Sequence, residues 1–457
     1  MRVIDGARLP IYSWASELEP GALAQAVNCA NVPRAFHHVA VMADGHQGYG
    51  VPIGAVLALE AALSPYAVGN DIGCGMALVA TALTEDDLRE PVPTGRGGTD
   101  PTVRDDIMGW VQRAIPAGPE SSIGRDRRSD DGLDDLLHTA FDAMDEAALA
   151  CGIPLSTSQS TDPGRGRPLN RPDLVARGRA QLATLGSGNH FVELLAGFEG
   201  DVWVLVHSGS RGVGGMICAN FHRLALAHCA ARGETLADPG LAWLPVSAAG
   251  GGDDREQWAI AGRCYERAMK AALGYAELNR HRMLETIADE IERRYPDAMQ
   301  WDQTVDIHHN DAVCEEHYGR SVWVHRKGAV KATMGTATIT PGSMGTGSVL
   351  GRGLGNPESF CSAAHGAGRA LSRSRARREL SLDHELAGVR SAGGKVFAAS
   401  SQAVLDEMPG AYKDLEEVMG LQADLVEPVR RFTPLGTYKG VDKRPSRRSR
   451  WRPGEER

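Results

Sequence analysis

Two side chains that can bind a metal lie three positions apart in one glycine-rich segment, GNDIGCGM at 69–76. Because glycine-rich turns let the chain come close to an ion, the carboxylate of Asp71 and the thiol of Cys74 can face a common ion. Thiolate is a soft ligand and carboxylate a hard one, so the pair suits a divalent transition metal better than Ca²⁺ or Mg²⁺. Zinc is the default ion for such ligands.

Three histidines occur in similar surroundings: His190 in GSGNHF, His207 at the start of HSGSRG, and His309 in HHND. Any one of them alone, like Cys74 alone, is better explained as a hydrogen-bonded, partly buried residue. Together with Asp71 they make a set at strand ends and glycine turns, where active-site residues concentrate. The residue types favour a metal site if the fold brings these side chains together.

Glycine is concentrated in clusters that also contain His, Asp, Asn or Ser. Of the 54 glycines, many occur in ADGHQGYG, GNDIGCGM, LGSGNHF, HSGSRGVGG, PGSMGTGS and HGAGR. Backbone N–H groups in such turns can approach an anion or a metal closely. One cluster is weak support, but six are difficult to explain by packing. They predict long functional loops around a polar site.

Charge is unevenly distributed along the chain. The net charge of −9 is unlike that of a protein that coats nucleic acid. The tail 441–457 nevertheless carries seven Lys/Arg against three Asp/Glu and few apolar residues, so we expect it to be basic and disordered. Five further arginines lie within ten positions: Arg369, Arg373, Arg375, Arg377 and Arg378. Each run fits either a solvated face or a phosphate-binding surface.

Cysteine spacing and hydropathy bear on location. The eight cysteines are scattered without a CxxC pair, which indicates neither a zinc ribbon nor a thioredoxin-like site. No run approaches the roughly 18 apolar residues of a membrane span, and the N-terminus lacks the basic start and apolar core of a signal peptide. We therefore expect a cytoplasmic protein without a membrane partner.

Periodicity predicts a mixture of strands and helices. Strand-like runs lie beside glycine-rich turns at 54–60, 76–83, 201–207, 321–325 and 337–340. Helical periodicity covers 134–150, 216–231 and about 256–295. Residues 85–132 are polar and rich in Gly, Pro, Arg and Asp, which predicts a long surface excursion. We expect one α+β domain over residues 1–440 with long loops.

Ten motifs of the chain are ADGHQGYGVPIG, DIGCGM, GSGNHFVE, HSGSRG, HHN, VHRKGA, PGSMGT, HGAGR, AYKD and a late Lys-Gly. RtcB-type RNA ligases carry these motifs in the same order, and the chain resembles these ligases from about residue 37 to residue 440. The resemblance implies a single large α+β domain with mixed sheets, flanking helices and glycine-rich active-site loops. Three departures stand out, one of which is that residues 85–132 have no clear match in the family. Ala43 precedes Asp44 where the family commonly has proline, and 17 residues follow Gly440, near which the family usually ends.

The resemblance also implies roles for individual residues. His365 in HGAGR matches the histidine that becomes covalently guanylylated. The matches to the ligands of two Mn²⁺ ions, with Cys74 as the bridge, are Asp71, Cys74, His190, His207 and His309. The candidates for contacts to the guanine nucleotide are Asn189, Glu193, Asn310, Ser343, Ser348, His365, Gly366, Ala367, Gly368, Tyr412 and Lys439. The candidates for contacts to phosphates or RNA are Asp44, Arg211, Arg326, Lys327 and Arg369. For Arg326 and Lys327 a solvated surface is an equal alternative.

The activity implied by the resemblance is GTP-dependent sealing of RNA. His365 takes GMP from GTP and releases pyrophosphate, and the GMP then passes to an RNA 3′-phosphate to form an RNA-ppG end. A 5′-hydroxyl attacks that end and expels GMP. A 2′,3′-cyclic phosphate is first hydrolysed to the 3′-phosphate. Such sealing serves RNA repair or tRNA splicing, and it leaves room for an activating or co-operating repair protein as a partner.

Two other functions fit part of the sequence. A metal-dependent phosphohydrolase or nuclease would use the same Asp, Cys and His ligands, but it leaves His365 in its glycine-rich setting without a role. A catalytically silent relative that serves as an RNA-binding subunit is the second alternative. That alternative predicts a missing chemical motif, and none of the ten is missing.

Overall fold

Strands and helices are interleaved along the chain in the computed structural model, which describes residues 1–5, 8–93, 100–118, 131–158, 166–247, 256–398 and 400–440. The strands are β1 (Arg2–Ile4), β2 (Ile11–Ser13), β3 (Ala35–Tyr49), β4 (Val51–Leu59), β5 (Ala62–Leu63), β6 (Gly75–Thr84), β7 (Phe191–Gly197), β8 (Asp201–Ser208), β9 (Leu244–Pro245), β10 (Met299–His308), β11 (Asn310–His317), β12 (Arg320–Lys327), β13 (Ala329–Lys331), β14 (Ala337–Pro341), β15 (Ser348–Gly353), β16 (Ser362–Ala364), β17 (Val396–Phe397) and β18 (Val426–Lys439). The helices are α1 (Pro20–Ala30), α2 (Pro65–Val68), α3 (Glu85–Arg89), α4 (Val103–Ala114), α5 (Asp131–Cys151), α6 (Arg171–Gln181), α7 (Arg211–Ala231), α8 (Glu256–Arg294), α9 (Arg373–Glu379), α10 (Leu382–Ser391) and α11 (Leu415–Leu421).

The elements with the clearest periodicity form where the sequence predicts them. The five strand predictions are confirmed as β4, β6, β8, β12 and β14, and the three helix predictions as α5, α7 and α8. The 39-residue helix α8 packs against α5 and α7 through one apolar side, on which Trp258, Tyr265 and Met269 are buried. None of the described helices is long and apolar enough to cross a membrane.

The strands form two large sheets. One has the order β1-β2-β3-β4-β12-β11, and the other has the order β10-β6-β8-β7-β18-β15-β14, with β17 beside β18. In the second sheet, each pair of neighbours in the order β10-β6-β8-β7-β18-β15-β14 is antiparallel. The parallel pairs are β2 with β3 and β17 with β18. Helices α4 and α8 contribute to a core with the second sheet, in which Ile107, Val204 and Ile287 are fully buried. The prediction of an α+β fold with mixed sheets and flanking helices is confirmed.

The predicted surface excursion at 85–132 is wrong at Val103–Ala114, which form α4, whereas Arg89, Glu90 and Pro91 are exposed. α4 buries Ile107, Met108 and Val111 in the core of the second sheet. The charged residues of α4 hide this apolar stripe in the sequence. In the structure they are paired, because Arg104 donates to the carbonyl of Leu435 and Asp106 forms an ion pair with Arg294. Residues 94–99 and 119–130 lie outside the described residues, as does the tail 441–457.

The register of the second sheet brings distant motifs to one end. His308 on β10 pairs with Gly75 on β6, and His207 on β8 pairs with Phe191 on β7. Because neighbouring strands run in opposite directions, the last residues of β10 and β8 lie beside the first residues of β6 and β7. β18 adds its C-terminal end, since Lys439 pairs with Phe191. These strand ends and the loops next to them carry the candidate ligands.

Candidate metal and nucleotide site

Cys74, His190 and His207 form a compact group at this end of the sheet, with ligand atoms within 4.8 Å of one another. Sγ of Cys74 lies 3.3 Å from Nε2 of each of the two histidines. Ligands that hold one ion at about 2.0–2.3 Å lie about 3–4 Å apart, so this spacing fits a shared ion. Oδ2 of Asp71 lies 2.9 Å from Nε2 of His190, and the ring centroid of His309 lies 5.2 Å from that of His207. The five candidate ligands therefore lie together.

Buried polar atoms in this group fit a bound cation. Oδ1 of Asp71 and Nδ1 of His309 have no hydrogen-bond partner among the described residues. A buried polar atom without a partner is costly, and a cation would compensate both the carboxylate oxygen and the imidazole lone pair. Nδ1 of His190 donates to the carbonyl of Leu185 at 2.8 Å, which leaves Nε2 with the lone pair that binds a metal. The set fits a divalent transition metal.

Burial determines the protonation states of the candidate ligands. It lowers the pKa values of His207 and His309 well below the usual value for histidine, so both imidazoles are neutral. Burial also raises the pKa of the Cys74 thiol well above its usual value. Burial would raise the pKa of Asp71 as well, but that pKa stays below its usual value, in part because of the positive charge of Arg211. The carboxylate and the imidazoles are ready to bind a metal, whereas the thiol must release its proton.

Hydrogen bonds join the loops that carry the ligands. The N–H of His309 donates to the carbonyl of Cys74 at 2.9 Å. The side chain of Asn310 bridges two further loops, because Nδ2 donates to the carbonyl of Asp71 at 3.0 Å and Oδ1 accepts from the N–H of Gly328 at 2.8 Å. Asn310 thus fixes the spacing of the ligand loops in addition to lining the cavity described below.

His365 adjoins the ligand group, with its ring centroid 4.7 Å from that of His309. Nδ1 of His365 lies 2.6 Å from Oδ2 of Asp44, which is fully buried. Because a carboxylate only accepts hydrogen bonds, Nδ1 carries the ring proton and Nε2 carries the lone pair. At Gly368, where φ is +73°, a Cβ would lie 2.4 Å from the carbonyl oxygen of Asp44, so the HGAGR turn needs glycine there. The arrangement holds His365 in the tautomer that a nucleophile requires.

One cavity of about 320 Å³ joins the ligand group, His365 and the C-terminal end of β18, and its volume lies at the small end of the range for ligand sites. The predicted residues that line it are Asp71, Cys74, Asn189, Glu193, His207, His309, Asn310, Ser343, His365, Gly366, Ala367, Gly368, Arg369, Tyr412 and Lys439. His190 contacts Asp71 and Cys74 from outside this lining. Candidate ligands and candidate nucleotide contacts therefore share one space.

The end of the cavity near β18 combines a carboxyl group with an ammonium group. Glu193 is buried and accepts a hydrogen bond from the Thr437 hydroxyl at 2.5 Å. Burial raises the pKa of Glu193 to about 7, against the opposing effects of Thr437 and Lys439. Nζ of Lys439 donates to the carbonyl of Asn189 at 3.2 Å and lies 5.2 Å from the centre of the Phe191 ring. Buried polar groups of this kind suit a flat heterocycle with several donors and acceptors.

Glu407 is a cavity residue that the sequence did not reveal. It is 3% exposed, lines the cavity and accepts a hydrogen bond from the hydroxyl of Tyr412. Its only signal in the sequence is its position five residues before Tyr412 in the AYKD motif. Phe191, Arg373 and Thr437 line the cavity as well. A glutamate in a 3₁₀ segment and a threonine in a strand have ordinary surroundings in a sequence, so neither could be singled out.

Arg326 and Lys327 do not line the cavity. Arg326 is fully buried and its guanidinium donates to both carboxylate oxygens of Glu315, at 3.0 and 2.9 Å. Lys327 is buried too, and its Nζ donates to the carbonyl of Tyr49 at 2.6 Å, while burial lowers its pKa to about 8. These cations therefore face the interior, and neither a solvated surface nor the cavity lining includes them. Arg326 thus links β12 to β11, and Lys327 links it to the end of β3.

Arg211 and Ser348 also lie outside the cavity lining. The guanidinium of Arg211 donates to the hydroxyl of Thr184 at 3.1 Å and to the carbonyl of Gly118 at 3.0 Å. Ser348 is buried opposite Pro341 in the ladder between β14 and β15. Ser348 adjoins the cavity through Gly347, whereas Arg211 lies near enough to Asp71 for its charge to lower the pKa of that carboxyl group.

The fold and the cavity together define a class of protein: an α+β protein in which a candidate Cys/His metal site adjoins a histidine held by a buried carboxylate. A sequence model of the family described as tRNA-splicing ligase RtcB matches residues 25–440, and the chain belongs to this family.

Curated relatives resemble the chain over nearly its whole length. The RNA-splicing ligase RtcB of Escherichia coli (strain K12) is 35% identical over 439 residues, which cover 94% of this chain and 97% of the relative. The tRNA-splicing ligase RtcB of Thermococcus kodakarensis is 34% identical over 464 residues, which cover 92% of this chain and 91% of the relative. The RNA-splicing ligase RtcB of Mycobacterium tuberculosis is 33% identical, with 91% of this chain and 100% of the relative covered.

Proposed function

We propose that this chain is an RNA ligase that joins 3′-phosphate or 2′,3′-cyclic phosphate ends to 5′-hydroxyl ends with GTP and Mn²⁺, in RNA repair or tRNA splicing. The class of reaction and the RNA substrate follow from the family, whose relatives are named RNA-splicing ligases. The observation that carries the finer proposal is the contact between Asp44 and His365 in a cavity shared with the Cys/His group.

In the first step Nε2 of His365 attacks the α-phosphorus of GTP. A P–N bond forms, the bond from that phosphorus to the pyrophosphate oxygen breaks, and pyrophosphate leaves. Nδ1 keeps its proton, and the carboxylate of Asp44 stabilises the positive charge that the ring gains. The hydrogen bond also fixes the ring plane, so Nε2 does not have to be oriented during the reaction.

The residues that would hold two Mn²⁺ ions are Asp71, Cys74, His190, His207 and His309. When bound, Mn²⁺ neutralises and orients phosphate oxygens as a Lewis acid and template. The protein contributes neutral imidazoles with free lone pairs in a buried setting. Near β18, Glu193, Tyr412 and Lys439 are proposed to contact guanine, and Glu193 offers an acceptor for its N–H groups once ionised.

In the later steps the RNA ends react. An oxygen of the RNA 3′-phosphate attacks the phosphorus on His365, so that a P–O bond forms, the P–N bond breaks and an RNA-ppG end results. The 5′-hydroxyl oxygen then attacks the RNA phosphorus and GMP leaves. Arg369 lines the cavity and is a candidate for phosphate contacts, with its guanidinium held by the carbonyls of Leu371 and Asp406 at 3.0 and 2.6 Å.

Replacing Asp44 should slow transfer of GMP to the enzyme while leaving the same histidine as the target. Asp44→Asn can donate an N–H to Nδ1 and so stabilise the wrong tautomer of His365. We expect labelling by α-labelled GTP to slow by about 10²–10⁴-fold, as when the carboxylate behind a catalytic histidine is neutralised. The initial rate of labelling without RNA measures this. A wild-type rate in folded Asp44→Asn would show that Asp44 does not orient the nucleophile.

The proposed function is tested by ligation of defined RNA ends. RNA with a 3′-phosphate should join RNA with a 5′-hydroxyl only when Mn²⁺ and GTP are both present. RNA with a 3′-hydroxyl and a 5′-phosphate, supplied as the control, should stay unjoined. A phosphohydrolase or nuclease would instead dephosphorylate or shorten the RNA, and a silent RNA-binding relative would bind it unchanged. Either result would contradict the proposal.

A further inference from the structure

Glu407 is a buried carboxylate in a cavity that is proposed to bind a triphosphate. It is 3% exposed and lines the cavity together with His365. A negative charge in such a place repels phosphates, and the repulsion is weakly screened because the site is buried. By itself Glu407 would therefore weaken nucleotide binding. Its contacts show which side chains of the cavity it holds in place.

Four side chains meet at Glu407, two on each carboxylate oxygen. Oε2 accepts a hydrogen bond from the hydroxyl of Tyr412 and lies 3.3 Å from Nζ of Lys439. Oε1 lies 3.3 Å from Nη1 of Arg369 and 3.3 Å from Nη2 of Arg373. One oxygen thus holds the residues proposed to contact guanine, and the other holds two arginines in the lining of the same cavity.

The carboxylate stays charged in this setting. Burial would raise the pKa of Glu407, but Lys439, Arg373 and Arg369 outweigh it and hold that pKa below its usual value. Tyr412 is also held from its other side, because the guanidinium of Arg369 lies 5.3 Å from the centre of its ring. Without the carboxylate, three cations would repel one another, and both Tyr412 and Lys439 would lose an acceptor.

We propose that Glu407 is a positioning residue for nucleotide selection. It holds Tyr412 and Lys439 at the base end of the cavity in a fixed relation to Arg369 and Arg373, so that preference for GTP over ATP depends on it. This inference rests on the proposed function.

The test measures the rate of covalent labelling against the concentration of α-labelled GTP or ATP, with Mn²⁺ and without RNA. Glu407→Gln removes the charge at nearly the same size, and Glu407→Asp keeps the charge but withdraws it by one methylene. Both should raise the KM for GTP about tenfold and lower the preference for GTP over ATP about tenfold, with a smaller change in the maximal rate. Glu379→Gln is the matched control, because Glu379 pairs with Arg375 on the exposed face of α9, and it should match the wild type.

A carboxylate that only offset positive charge would give the opposite result. Glu407→Gln would then make the cavity more positive and tighten GTP and ATP equally. That result, or an unchanged preference in either folded variant, overturns the proposal. If thermal melting shows that Glu407→Gln is unfolded, Glu407→Asp and Tyr412→Phe are used instead, since both keep the negative charge at position 407. A wild-type preference for GTP over ATP in both variants refutes the proposal. A wild-type enzyme that takes up no label would refute the proposed function instead.

Discussion

His365→Ala should take up no covalent label from α-labelled GTP and Mn²⁺, whereas the wild type is labelled without any RNA. The variant lacks the Nε2 lone pair that Asp44 holds ready for attack, and a methyl group cannot replace it. The expected loss is complete, down to the background of the assay. His281→Ala, which removes an exposed histidine of α8, is the matched control and should be labelled like the wild type.

The chemistry of the label identifies the residue type that carries it. GMP on His365 is a phosphoramidate, and its P–N bond is cleaved in mild acid, where the nitrogen is protonated and leaves, but survives alkali. A phosphoester on a serine such as Ser343 would resist acid. Survival of the label through acid and through alkali, measured separately, distinguishes the two. ATP should label the enzyme far less than GTP.

A second measurement separates the nucleophile from the later steps. His365→Ala should still join an RNA supplied with a pre-made 3′-ppG end to a 5′-hydroxyl RNA, because that step needs the ligand group but no attack by imidazole. Label on His365→Ala from GTP would show that another residue is the nucleophile, and the mechanism would then be wrong.

Cys74→Ala is expected to lose both metal binding and ligation while the protein stays folded. Cys74 lies 3.3 Å from two of the candidate histidine ligands, and no other sulfur contacts them within the described part of the chain. Because even residues behind the ligands change metal affinity by about 10–100-fold, loss of a proposed ligand should weaken it by about 10²-fold or more. Titration calorimetry with Mn²⁺ measures this without reference to activity.

Metal affinity of the wild type should fall as the pH falls. Burial raises the pKa of the Cys74 thiol, so the thiol is protonated before binding and releases that proton to the solvent when the metal binds. Release of one proton weakens binding by about tenfold for each unit of decrease in pH. Zn²⁺ binds sulfur and nitrogen ligands more tightly than Mn²⁺ and should compete with it and inhibit ligation.

Cys218→Ala is the matched control for Cys74→Ala. Cys218 is also fully buried, but it lies outside the cavity lining, with its Sγ against the carbonyl of Pro65 at 3.5 Å. Its variant should bind Mn²⁺ and ligate RNA like the wild type. Full ligation by folded Cys74→Ala would rule out this residue as a bridging ligand.

Local physical patterns were sufficient to predict several elements. The continuous apolar, β-branched run of β8 and the apolar face of α8 each extend over enough residues to identify the element without its neighbours. The helix α4 was missed because its charged residues pair with Leu435 and Arg294, which are far away in sequence, and these partners make burial of its apolar stripe favourable. A sequence does not reveal such long-range pairings.

The sequence by itself determined which residue types are available for chemistry, and the order of its motifs identified the family. Which of those residues meet was decided by the tertiary structure. The antiparallel register of β10, β6, β8 and β7 puts Cys74, His190, His207 and His309 at one end of the sheet, and a strand shifted by one residue would face the other way. Burial decided which polar residues line the cavity. Arg326 is buried in an ion pair with Glu315, whereas Glu407, whose surroundings in the sequence are just as ordinary, lines the cavity. Both outcomes depend on contacts between residues far apart in the chain, and such contacts leave no local pattern.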